Sequence, residues 1–134
     1  MKKYILIAAI LAGLMLFVGC GLFGSGQQPV DANNPLIGTW RWDDDSDWRY
    51  IFRADGTGER GDPDHEYWYG PIEHFVWWTV GDDRLRIDLD DPDGSIAAEG
   101  YLLEESWNFS ITGRTLRLES RQFEDELYYY TRAN

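Results

Sequence analysis

From Leu36 onward, short runs of alternating apolar and polar residues are separated by turn-forming clusters. The clusters are DDDSD at 43–47, ADGTG at 54–58, VGDD at 80–83, DDPDG at 90–94 and ITGR at 111–114. Their aspartates and glycines supply side-chain turn bonds and left-handed backbone. Between them the period is two: Trp48, Tyr50 and Phe52 share a face against Arg49 and Arg53, with Ile51 the exception. Leu85, Ile87 and Leu89 likewise oppose Arg84, Arg86 and Asp88, and Leu116 and Leu118 oppose Thr115, Arg117 and Glu119. This is the alternation of strands with one wet face. Further strands are expected at 37–42, 57–60, 74–80, within 99–112 and at 127–132, making eight, although LLEESW at 102–107 also suits a short helix. Hairpin-length turns imply antiparallel neighbours. Eight such strands avoid exposed edges most simply by closing into an all-β, eight-stranded antiparallel up-and-down barrel, with a two-sheet sandwich as the alternative.

Ahead of this region the pattern changes completely. Lys2 and Lys3 precede an apolar stretch from Tyr4 to Val18 that ends on Gly19-Cys20, the layout of a secretory signal, and it is short for a membrane span. Cys20 is the single cysteine of the 134-residue chain, so it cannot form an intramolecular disulfide in an oxidising compartment. LFVGC resembles a bacterial lipobox, with Phe17 where leucine is usual. That resemblance implies cleavage before Cys20, acylation of its thiol, and a protein held by lipid in the cell envelope outside the cytoplasm. Residues 1–19 are then signal, 20–35 a flexible tether rich in glycine, proline and small polar residues, and 36–134 the barrel domain.

Charge narrows the partners. Both lysines lie ahead of Cys20, leaving ten arginines against 24 acidic residues and a net charge of −14 for residues 20–134. Nucleic acid and anionic lipid are thereby disfavoured, and the acidity fits a saline habitat, a GC-rich genome or a basic protein partner alike.

Gly38-Thr39-Trp40 opening the first strand and Asp55-Gly56-Thr57-Gly58 after the second, followed by FVWWTVGDDRLRI and a closing YYYTR, give the chain a further likeness. Over residues 36–132 it resembles the lipocalin-like, or calycin-like, bacterial lipoproteins. The resemblance implies that Trp40 plugs the closed end of a barrel beside Gly38, covered by an arginine from the last strand. By position this is Arg132, with Arg117 as the substitute. It also implies a small hydrophobic ligand, or a retained fold without a pocket.

Trp42 lies two residues beyond Trp40 and faces the same side. With Tyr50, Phe52, Trp77 and Trp107 it forms the candidate ligand-binding set, and Trp48, Phe75, Phe109 and Tyr129 are further interior candidates. Those same side chains could instead fill the barrel. Apolar residues on both faces of HFVWWTV require a cover over Trp78, and PDHEYWYGP at 63–71 can supply it or act as a lid through Tyr67, Trp68 and Tyr69.

Catalysis and metal binding find little support. Aligning DLDDPDGSIAAEG with a calcium loop puts Gly100 where a bidentate glutamate is required. His65 and His74 match no zinc spacing. No serine occupies a nucleophile elbow. Asp43, Asp44, Asp45 and Asp47 read as a solvated turn. A non-enzymatic binding protein without cofactor or metal is expected, the alternative being an acidic protein-binding module with a filled barrel.

Overall fold

A computed structural model describes residues 30–64 and 70–134. Eight strands, β1 (Gly38–Trp42), β2 (Arg49–Phe52), β3 (Thr57–Gly61), β4 (Glu73–Val80), β5 (Arg84–Leu89), β6 (Glu104–Thr112), β7 (Thr115–Ser120) and β8 (Leu127–Arg132), follow one another around a closed barrel. Every pairing is antiparallel, and β1 meets β8 through Trp40↔Arg132 and Trp42↔Tyr130. Closure therefore pairs both edges that an open sheet would leave exposed. The one helix among the described residues, α1 (Ser95–Ala98), lies in the β5–β6 connection, where Asp91 carboxylate oxygens accept the amides of Ile96 and Ala97. LLEESW is not helical: its last residues begin β6.

Alternation does what the sequence pattern requires. On β5 and β7, Leu85, Ile87, Leu89, Leu116 and Leu118 point inward and are buried, while Arg86, Asp88, Arg117 and Glu119 lie between them on the outer wall. On β8 the inward residues are Tyr128 and Tyr130, whereas Tyr129, expected inside, is 44% exposed. Pairing of Trp40 with Arg132 fixes that phase, because every second residue back from Arg132 must share its face. Trp78, on the outer face of β4, is half-buried. His65, Tyr67, Trp68 and Tyr69 lie outside the described residues.

Tight turns close one end of the barrel and long connections rim the other. At the closed end, Asp55 accepts both the amide (2.9 Å) and the hydroxyl (2.7 Å) of Thr57, fixing the β2–β3 turn. Above it the interior is filled. Trp40, Phe52 and Trp77 are almost wholly buried with Leu36, Leu85, Ile87, Leu116 and Leu118.

Arg132 covers this floor. Its guanidinium carbon sits 4.2 Å from the centre of the Trp40 ring, while its nitrogens donate to the carbonyls of Ile37 and Pro35. The Trp40 indole in turn donates to the Leu36 carbonyl at 2.8 Å. Gly38 is required here: its φ is +138°, and a Cβ would come within 2.7 Å of the Arg132 guanidinium. Residues 30–35, expected as part of a tether, belong to the same structure. Val30 packs on the core, and the Asn34 amide donates to the Thr79 hydroxyl at 3.2 Å. The domain thus begins ahead of residue 36, because the carbonyls that receive Arg132 and Trp40 lie at Pro35, Leu36 and Ile37.

Replacing Trp40 with alanine should remove about 3–5 kcal/mol of stability through cavity formation. Urea unfolding checks this; a loss below about 1 kcal/mol would show that Trp40 is not the plug.

Candidate functional site

Above the filled layers the barrel opens into a cavity of about 610 Å³. Inward positions one layer above the plug build its wall: Trp42 on β1, Tyr50 on β2, Trp107 on β6, and Tyr128 and Tyr130 on β8. Trp48, just before β2, completes it. The rings form a linked series set mostly edge to face, with Trp107–Tyr128 centres 6.0 Å apart, Tyr128–Trp42 6.1 Å, Trp42–Trp48 6.2 Å and Trp48–Tyr50 5.1 Å. Edge-to-face contacts suit aromatic quadrupoles. Trp42, Trp48 and Tyr128 remain only half-buried and so keep surface for the cavity. Tyr101 and Phe123, 65% and 52% exposed, stand at the rim.

A charged cluster joins this wall at the open ends of its strands. Arg60 is on the inward phase of β3, two residues from Gly58, and it is opposite Tyr50 on β2 and Glu73 on β4. It donates to the Tyr50 hydroxyl at 2.8 Å and to Glu73. Across the interior it forks onto Glu105 of β6, with contacts of 2.8 and 2.9 Å to the two carboxylate oxygens. The Trp107 indole also donates to Glu105, at 3.0 Å. Arg60 and Glu105 side chains are only 13% and 14% exposed, so both are held largely away from water. Such a pair persists only when well matched in charge and hydrogen bonds.

These contacts set the protonation states. Desolvation works against the Arg60 charge, but Tyr50, Glu105 and Glu73 outweigh it and raise its pKa above the ordinary value. Burial pushes the Tyr50 hydroxyl far above its usual 10.0, with Arg60 offsetting only part. Burial also raises Tyr130, helped by Tyr50, and raises Tyr128, helped by Glu126 and Glu105. All three hydroxyls therefore keep their protons at neutral pH.

Of the residues singled out from sequence, Trp42, Tyr50 and Trp107 line the cavity, and Gly38, Trp40 and Arg132 meet at the opposite end. Phe52 and Trp77 do not line it. They face inward as expected, yet one layer lower: their rings are in contact at 5.1 Å, and the Trp77 indole is tied to the carbonyls of Arg53 and Thr57 at the closed-end turn. Cys20 lies outside the described residues. Missing from the sequence-derived set are Tyr128, Tyr130, Arg60, Glu73 and Glu105. Their signal is the same alternation, since Glu73 is in phase with Phe75 and Trp77, and Glu105 with Trp107 and Phe109.

The chain matches no known family model, no curated protein and no solved structure.

Charge is distributed unevenly between the two ends. The β1–β2 loop carries Asp43, Asp44, Asp45 and Asp47, and the β5–β6 connection Asp90, Asp91, Asp93 and Glu99, neither with a base. Between β7 and β8, Glu124, Asp125 and Glu126 outnumber Arg121. All of these rim the open end. The β1–β2 aspartates are not uniformly solvated: Asp45 and Asp47 bring carboxylate oxygens within 4.8 Å of those of Asp62, which is fully buried and accepts the Asp64 amide at 2.8 Å.

The raised tyrosines have a consequence at alkaline pH. Above pH 10.0, the ordinary tyrosine value, an unfolded chain sheds protons that the folded cavity retains, so stability must fall as pH climbs. Their contribution is fully present below that pH and is lost as pH rises through the folded-state values. Urea unfolding across alkaline pH should show this decline, with a shallower slope in Tyr50→Phe. An unchanged slope in that variant would remove Tyr50 from the account.

Proposed function

We propose that this chain is a cell-envelope lipoprotein, anchored through an acylated Cys20, whose lipocalin-like barrel binds a small, largely apolar molecule and performs no catalysis. The aromatic cavity at the open end carries this reading. Its volume lies within the roughly 300–1,000 Å³ usual for small-molecule sites, and its lining combines apolar bulk with a few convergent polar groups, as such sites do. The plug supports it as well, because a rigid floor lets the cavity stay open without collapse. Lipocalin-like architecture rests on the Gly38-Thr39-Trp40 element and on an arginine stacked over its tryptophan, as the resemblance implied.

A second reading, an acidic module that binds a basic protein, draws on the aspartate-rich rim and the exposed Tyr101, Leu102 and Phe123 beside it. An open cavity argues against the filled barrel which that reading assumed.

Two measurements test the proposal. An uncharged naphthylamine dye should bind saturably, and Trp42→Ala should weaken it about tenfold, equivalent to roughly 1.4 kcal/mol. Failure of the dye and of a wider set of small apolar compounds to saturate would leave the cavity without a role. For the anchor, cells fed labelled palmitate should label the wild-type chain and not Cys20→Ala, and the variant should leave the membrane fraction. Labelling that persists in the variant would overturn acylation at Cys20.

A further inference from the structure

The polar groups of the cavity discriminate among ligands by charge. Among the described residues Arg60 is the one base in its lining, and it is already engaged: Nε faces Glu73, and its terminal nitrogens face Glu105 and the Tyr50 hydroxyl. A carboxylate ligand would have to displace one of these anions. Against this single cation the cavity sets Glu105 and Glu126 in its lining and Glu73 behind, so the interior is net negative. The acidic rim adds to that field, which a water-poor concave wall strengthens.

The hydrogen-bonding supply points further. Both Glu105 oxygens are taken, by Arg60 and by the Trp107 indole. A primary ammonium, which seeks up to three acceptors, would therefore find this part of the site poor. An alkylated ammonium needs no acceptor, is weakly hydrated, and is drawn to aromatic rings within about 6 Å. Trp42, Trp48, Trp107 and Tyr128 provide such a wall, with neighbouring centres about 6 Å apart.

We infer that the ligand of this cavity is an organic cation, a quaternary or fully alkylated ammonium on an apolar body, held by the aromatic wall beside the Arg60–Glu105 pair. The inference rests on the proposed ligand-binding role and narrows it to one chemical class.

Three probes test it, an isosteric pair of para-hydroxyphenyl-trimethylammonium and para-tert-butylphenol, and the anionic para-tert-butylbenzoate. Calorimetric titration uses the full chain in vesicles of digalactosyldiacylglycerol, an uncharged lipid, with protein-free vesicles as the blank. The ammonium should bind about tenfold more tightly than the phenol and more tightly still than the benzoate, with its advantage shrinking at high salt. Glu126→Lys, a change at the rim of the lining, should lower ammonium affinity severalfold more than it lowers phenol affinity. Trp42→Leu should erase the preference for the cation while the phenol still binds. Equal binding of the three, or a preference for the benzoate, overturns the cation and leaves the ligand-binding role standing. Absence of binding by all three overturns both. A soluble amine and a choline headgroup present the same chemistry, and doping the vesicles with phosphatidylcholine separates them. A weakened ammonium titration assigns the headgroup, and an unchanged one the soluble amine.

Discussion

The space inside a closed barrel is set by strand number and tilt, so every inward side chain either fills that space or borders a hole. Here the balance changes along the axis. At the closed end Arg132 lies over Trp40 and ties itself to the carbonyls that precede β1, which holds first strand, last strand and leading segment together. Phe52, Trp77 and the leucines of β5 and β7 complete a solid lower half. Higher up, Arg60 reaches across the interior to Glu105 in the lining of the open cavity. Without the rigid floor, the rings above would have space to fall into, and the cavity would close at little cost.

Alternation makes much of this legible in the amino-acid sequence alone. Strand number, closure, the Trp40 plug with its arginine, and Trp42, Tyr50 and Trp107 in the wall all follow from period two combined with a few family-like residues. Depth does not follow. Phe52 and Trp77 face inward like Tyr50, and what separates core from cavity lining is height along the axis, which depends on stagger between strands and not on face. Tyr129 is misplaced by the pattern for a related reason: in Tyr128-Tyr129-Tyr130 composition cannot set the phase, and only pairing of Arg132 with Trp40 does. The charged cluster escapes a reading of the pattern because buried arginine and glutamate contradict the expectation that charge faces water, although their phase is visible. The short helix at 95–98 carries no buried residue. Asp91 accepts two of its amides and Ile96 alone of its residues packs on the core, so no apolar period announces it.

Acidity has acquired a location as well as a magnitude. Whole-chain charge is consistent with habitat, genome composition or a basic partner alike, and cannot choose among them. Concentration of carboxylates on the loops around the cavity, with arginines spread along the outer strands, makes the molecule polar along its axis. A cation approaching from solution is drawn to the open mouth, while an anion is turned away from it. The field thus sorts ligands before any contact is made.

Antiparallel order with an even number of strands has one more result. β1 starts and β8 finishes at the floor, and Val30 and Leu36 pack against it. The chain enters and leaves the described domain at the same end, opposite the mouth. Neither end of the described domain therefore crowds the rim. The loops there can change in length and composition without disturbing the packed base.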